Sequence, residues 1–329
     1  MANINKSKVN RILVITLSNI GDIILTTPVV ETLLREFPGV RLDVMVGPNG
    51  KDLFGPHKGI GEIIIYDKRS SSLDKFKLFI MLRKKRYNLV ADLRNTILPL
   101  VLGARFNTSA IRRDSKNGMH RKDVHLSRLR DLSIDTSRGK FYIPVREKDK
   151  ERVGALLGEL KERPYVVVSP GAKSHVKRWP LKHFAKLCDM IKIKLRVDVV
   201  LIGDESDRVV IERILFNAET KPLNLIDKTN IGELAYMIKR SKLLITNDSA
   251  PLHVGSAVNA PTVVFFGPTD DRKYGPLTES GSRVLKKKLK CSPCEVPQCI
   301  NYDNKYECLK TITVEEAFEA VKELLDSAT

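Results

Sequence analysis

Short apolar runs rich in Val, Ile and Leu recur along the chain, and stretches with helical spacing separate them. In the first half, residues 11–17, 42–46, 62–66 and 88–93 read as strands, and residues 23–37 and 73–86 as helices. Pro28 should end, kink or reset the first of these helices. Residues 107–138 are basic, poorly periodic and rich in Ser and Arg, and read as loops. A helical pattern over 148–162 follows, and Arg163-Pro164 breaks it. A second series then begins. Its strands are expected at 165–169, 197–202, 223–226, 243–246 and 262–266, and its helices at 181–195, 207–216, 231–239 and 314–325. Strands separated by helix-length crossovers imply a largely parallel sheet covered on both faces. The expected class is therefore α/β, with two doubly wound halves joined near residues 150–163 and a cleft between them. Ligands of such sheets bind beyond the carboxyl ends of the strands.

The bulk properties narrow this picture. A chain of 329 residues is long for one doubly wound domain and comfortable for two. Hydrophobic content of 42% and a mean hydropathy of −0.18 describe a soluble globular protein. No window approaches eighteen uninterrupted apolar residues, so no transmembrane helix is expected. The apolar run at 12–17 is too short for a signal-peptide core, so a cytoplasmic location is expected.

Charge is unevenly placed. The net is +18; residues 1–150 carry 29 Lys+Arg against 15 Asp+Glu, and residues 151–329 carry 28 against 24. Cations cluster at Arg83-Lys84-Lys85-Arg86, at Arg112-Arg113 and through 121–130. A basic first half favours an anionic partner: nucleic acid, an acidic membrane surface or a phosphorylated substrate. The plainer alternative is a solvated basic surface. No nucleic-acid partner is expected, because the chain lacks aromatic-rich strands and any recognised nucleic-acid motif.

Four strand ends carry candidate chemistry. After the first strand comes Ser18-Asn19-Ile20-Gly21-Asp22. Gly21 suits a tight turn or a positive φ, and Asp22 falls near a helix start. There it is either a general base or simply an N-cap. After the strand at 165–169 comes Ser169-Pro170-Gly171-Ala172, then Lys177-Arg178-Trp179-Pro180. Gly171 permits close backbone approach, Lys177 and Arg178 bring charge, and Pro180 suits the first position of a helix, so the segment fits a diphosphate. Trp179, the only Trp, either walls the pocket or sits in the core.

Gly203-Asp204-Glu205 ends the next strand, where an acidic residue often holds ribose hydroxyls. Asn247-Asp248-Ser249-Ala250-Pro251-Leu252-His253 joins an apolar run to a helical pattern. Backbone N–H groups and the positive helix end favour phosphate at that turn. His253 is either a ligand contact or a structural histidine.

Several motifs are missing. There is no GxGxxG after the first strand, no GxxxxGK[ST] and no Asp-x-Asp pair. Without an Asp-x-Asp pair to hold a divalent ion, a departing diphosphate needs cations from the protein, and Lys177 and the helix starts can supply them. Cys291, Cys294, Cys299 and Cys308 have the spacing C-x2-C-x4-C-x8-C. Four such thiols can bind zinc, although the gaps match no standard finger and cysteine is often simply buried.

In order, GD after strand one, PGAKSHVKRWP, GDE, NDSAPLHVGSAVNAPTVVFFGPTD and CSPCEVPQC resemble the heptosyltransferase family of glycosyltransferases, family 9, which build the inner core of lipopolysaccharide. The resemblance runs from about residue 10 to the chain end. The Cys-rich tail is similar to the branch that adds a second heptose. The resemblance implies a GT-B fold of two Rossmann-like domains facing a central cleft, an acceptor-binding one over 1–155 and a nucleotide-sugar-binding one over 156–329. It implies inverting, metal-independent transfer from ADP-heptose, with no cofactor. Asp22 would deprotonate the acceptor hydroxyl, and Lys177 would offset charge on the diphosphate. Glu205 would bind ribose, and Thr229 would lie near the adenine. Gly171, Ala172, Asp248, Ser249, Ala250 and His253 would line the donor. The family often has Thr or Ser near Ala172, so that side chain's role stays open. Ser18, Gly21, Arg112 and Arg113 are the candidate acceptor contacts. A phosphorylated, Kdo-lipid A type acceptor, and a peripheral position of the enzyme at the inner face of the inner membrane, suit the basic first half. Three readings compete with this one: a family-9 enzyme with another donor or acceptor, a basic nucleic-acid binder, and a catalytically silent lectin-like member.

Overall fold

A computed structural model describes residues 4, 6–108 and 118–327. The chain divides into two compact units, Met1–Pro144 and Val145–Thr329. The division falls earlier than the join expected at 150–163. The helix Glu147–Leu157 belongs to the second unit, where Asn230 Nδ2 reaches Asp149 Oδ1 at 3.4 Å.

The first unit is a parallel five-stranded sheet. Its strands are β1 (Arg11–Ile15), β2 (Arg41–Val46), β3 (Ile60–Ile65), β4 (Leu89–Asp92) and β5 (Phe106–Asn107), in the order β3-β2-β1-β4-β5. Val14 pairs with Val44 on one side and with Ala91 on the other. The central strands are buried along nearly their whole length, which is why they read as continuous apolar runs. The chain order reverses between β1 and β4. The ends of these two strands flank the crevice where sheets of this kind bind ligands.

Three expectations for this unit need correction. The single helix at 23–37 is two helices, Ile20–Ile24 and Thr27–Glu36. Pro28 lies in the first turn of the second, where its missing N–H costs nothing, so it resets the helix rather than kinking it. Residues 107–138 are not all loop: β5 takes Asn107, and Arg121–Arg130 is a helix. His120 opens that helix by accepting the Lys122 N–H on Nδ1 at 3.2 Å. Its buried face includes Val124, Leu126 and Leu129 but also His125, Ser127 and Arg128, so no clean apolar stripe marked it. The expected acceptor contacts Arg112 and Arg113 lie outside the described residues.

The second unit is a parallel six-stranded sheet. Its strands are β6 (Tyr165–Ser169), β7 (Asp198–Leu201), β8 (Leu223–Asn224), β9 (Leu243–Asn247), β10 (Thr262–Phe265) and β11 (Ser282–Leu285), in the order β11-β10-β9-β6-β7-β8. This is the doubly wound order of a dinucleotide-binding domain, and it reverses between β6 and β9. The edge strand β11 was not expected, because it is short and only partly buried. The helix expected over 181–195 ends at Met190, and Ile191–Leu195 continues as a wider π turn.

Candidate active site

At the end of β6 the chain leaves the sheet through Pro170-Gly171-Ala172 and forms a tight turn, His175–Lys177. At the end of the neighbouring β9 it leaves through Asp248-Ser249 into the helix Ala250–Ala257. Ser169 and Thr246 are register partners, so both loops start from one edge of the sheet, at its switch point.

Asn247 locks the two loops together. Its Nδ2 donates to Pro170 O at 2.7 Å, and its Oδ1 accepts the Trp179 N–H at 3.0 Å. Lys177 Nζ then meets Asp248 Oδ2 at 2.6 Å, and the Tyr274 ring lies 6.0 Å from the same ammonium. Asp248 is buried and Lys177 is partly exposed, so the ammonium keeps access to solvent. Ser249 stands at the N-cap, and its Oγ lies 3.3 Å from Thr246 Oγ1. Pro251 brings no N–H, so Ser249 and Ala250 supply the free amides at this helix start. His253 is buried one turn further in. An ammonium, two amides and a helix start around one strand edge can receive an anionic oxygen.

The other residues expected at the donor have their own partners. Gly171 has a packing reason to be glycine: a Cβ there would lie 2.2 Å from the Asp207 carboxylate. Burial raises the Asp207 pKa above the usual carboxylate range, and Arg178 Nη2 stands 3.7 Å away. Arg178 also donates from Nε to Ala172 O at 2.9 Å, so Arg178 pins the loop rather than facing outward with Lys177. Pro180 is the N-cap of Leu181–Met190, one position before the expected one. Trp179 is a core residue. It is fully buried, its ring stacks on Phe265 at 4.2 Å, and its Nε1 donates to Ile312 O at 3.0 Å. Glu205 follows β7, but its exposed carboxylate is held by Arg208 and its pKa is lowered by that bond. Thr229 is partly exposed and precedes Asn230, the N-cap of Ile231–Arg240.

In the first unit, Asp22 does not cap its helix. Asn19 occupies the N-cap, and Asp22 lies inside the first turn of Ile20–Ile24, where it accepts from Asn19 Nδ2 at 3.1 Å. It is partly exposed, and among the described residues no cation pairs with it. Gly21 is helical and lacks a positive φ; the turn is made by the residues before it. Ser18 packs where a side chain at Gly47 would otherwise sit, 2.8 Å from its Cα. At the end of β4, the neighbour of β1, the buried Asp92 accepts from Arg94 N, Thr96 N and Thr96 Oγ1, and its carbonyl receives Arg128 Nη1 at 2.7 Å. The sequence pattern did not single out Asp207 or Asp92, and it gave Asn247 no role beyond opening its motif. Each is an ordinary polar residue whose partner lies far along the chain or turns a loop locally.

The four late cysteines line one small cavity with Val176, Pro268 and Tyr306. Burial and the three other thiols push the Cys308 pKa up to about 11. Among the described residues, no group of three or more His, Cys, Asp or Glu side chains is placed to hold a metal ion. The cavity backs the His175–Lys177 turn through Val176.

Two doubly wound parallel sheets in one chain, the second with a cationic, amide-rich strand edge, are the architecture of the GT-B fold. The chain belongs to glycosyltransferase family 9 (heptosyltransferase), whose sequence profile matches residues 76–304. It is similar to lipopolysaccharide heptosyltransferase 3 of Escherichia coli (strain K12), at 28% identity over 93% of this chain and 95% of that protein. Among solved structures it is similar to a family 9 glycosyl transferase from Veillonella parvula, with a TM-score of 0.82 and 26% identity over 96% of this chain and 97% of that one. It is also similar to the E. coli ADP-heptose lps heptosyltransferase II, with a TM-score of 0.77 and 25% identity over 96% of this chain and 98% of that one. No helix among the described residues is long and apolar enough to cross a membrane.

Proposed function

We propose that the protein moves a heptose from ADP-heptose onto the inner core of lipopolysaccharide, with inversion and without a metal ion. The names of its relatives support the sugar and the acceptor class. The observation that carries the donor assignment is the Lys177–Asp248 pair on the two loops that leave the sheet at its switch point.

In this reading Asp22 takes the proton of the acceptor hydroxyl. The freed oxygen bonds to the anomeric carbon, the bond from that carbon to the diphosphate breaks, and its electron pair leaves with ADP. One displacement inverts the centre. Lys177 and the amides of Ser249 and Ala250 offset the charge that grows on the departing phosphate. Asp248 would repel phosphate, so it steadies the ammonium and takes sugar hydroxyls with its other oxygen. Glu205 exchanges Arg208 for ribose, a small loss for an exposed pair. Thr229 borders the adenine, and Gly171, Ala172 and His253 shape the donor pocket. Ser18 and Gly21 frame the acceptor end beside Asp22. The acceptor is a phosphorylated, Kdo-lipid A type molecule at the inner face of the inner membrane.

The test is transfer from ADP-heptose to such an acceptor, with UDP- and GDP-sugars alongside. Asp22→Asn should lower turnover roughly a thousandfold and leave ADP affinity unchanged. Lys177→Ala should weaken both. Wild-type turnover by Asp22→Asn would remove the base. Nucleotide release from another sugar donor, with none from ADP-heptose, would remove the donor.

A further inference from the structure

The first unit exposes apolar side chains that its sheet does not use. In the thirteen-residue helix Ser72–Lys84 only Leu82 is fully buried. Leu78 and Phe79 face inward beside it, while Leu73 and Phe76 stand 61% and 60% exposed. These two are three residues apart and share one helix face. The adjoining segment adds Ile97 at 66% and Leu100 at 62%. Arg83 Nη1 joins the two segments through Val101 O at 2.7 Å. Between them lies a cavity of about 260 Å³, lined mainly by apolar side chains and by Lys75 and Arg94. Single exposed apolar residues are ordinary, but four large ones on two adjoining segments, with Ile97 lining the cavity between those segments, mark a surface that meets something.

The charge around this patch is mostly positive. Residues 67–86 hold eight Lys and Arg against two Asp. Of the eight, Lys85 is tied to Asp43 and Glu62. Among the described residues Lys68, Arg69, Lys77 and Lys84 pair with no carboxylate. Arg94 lies 4.8 Å over the Tyr66 ring beside the cavity. Leu, Phe and Ile flanked along the chain by cations without a carboxylate partner match the boundary of a bilayer with anionic headgroups: the side chains enter its outer few ångströms while the cations meet phosphate.

We propose that the face built from Ser72–Lys84 and the segment through Leu98–Val101 docks on a membrane carrying anionic phospholipid. Leu73, Phe76, Ile97 and Leu100 enter the headgroup layer, and Lys77 and Lys84 contact its phosphates. The docking does not depend on which sugar the enzyme moves.

The experiment is co-sedimentation of the full chain with vesicles of phosphatidylcholine alone, or with phosphatidylglycerol added. Wild type should bind the anionic vesicles at least about tenfold more tightly than the neutral ones, and should lose most of that in 0.5 M salt. The pairs Leu73→Ser with Phe76→Ser, and Lys77→Glu with Lys84→Glu, should each weaken binding about tenfold or more. All four positions are solvent-exposed, and thermal unfolding checks that the variants remain folded. Phe216→Ser, at the most exposed Phe of the second unit, should change nothing. Equal binding to both vesicle types, undiminished binding by either pair, an equal loss in Phe216→Ser, or capture by an acidic protein with no vesicle binding would each overturn the proposal.

Discussion

Lys177 and Asp248 form a pair whose carboxylate is buried and whose ammonium is not. Removing the lysine strands that carboxylate, so Lys177→Ala should lower the stability of the second unit by about 1–2 kcal/mol as well as activity, an intermediate value because the pair is half open to water. Lys177→Arg should recover the stability in urea unfolding but not the turnover, because a planar fork does not replace a point charge. Gly171 gives a second check. A methyl there collides with the Asp207 carboxylate, so Gly171→Ala should cost about 1–3 kcal/mol, and adding Asp207→Ala should return part of that loss. A third concerns pH. Burial, then the neighbouring Arg128, Arg121 and His120, lower the His125 pKa from 6.5 to about 3. Between those values the unfolded chain holds the extra proton. The stability His125 contributes is therefore present above pH 6.5 and is lost as pH falls toward 3. Urea unfolding of the wild type should weaken by up to about 1.4 kcal/mol per pH unit in that window, and His125→Gln should flatten the slope.

Among the elements, the two loops at the β6–β9 edge act as one because Asn247 bonds to both. Asn247→Ala leaves a buried carbonyl and a buried N–H without their partner. We expect a stability loss of about 2–4 kcal/mol and weaker ADP binding, with the second measured by calorimetry. The elements also differ in how far local pattern revealed them. Tyr165–Ser169 was bounded correctly from its β-branched run, since a strand buried on both faces announces itself. Arg121–Arg130 was not, because its packing face mixes Arg128 and His125 with Val124, Leu126 and Leu129, and its cap is a histidine. The edge strands β5 and β11 escaped because pairing with a neighbour, not composition, defines them.

Taken whole, the chain concentrates its charge in the unit with the exposed apolar face and keeps the cationic strand edge in the other. If ADP binds the second unit, thermal unfolding with ADP at a hundred times its Kd should stabilise that unit by about 2.7 kcal/mol and leave a separate first-unit transition where it was. A single transition shifted as a block would show that the units unfold together.

Alternation of strands and helices, two doubly wound halves, the strand ends that carry polar turns, and the family were all legible along the chain, because β-branched runs, helical spacing and turn residues act over a few neighbours. Which turns share a strand edge was not. Lys177 reaches Asp248 across 71 positions, and Asn247 reaches Trp179 across 68. Those meetings depend on β9 lying beside β6, and an apolar pattern buries a strand equally well in several orders. Folding also gave Trp179 to the core, Gly171 to Asp207 and Arg178 to a loop carbonyl, since only packing assigns a side chain its neighbour.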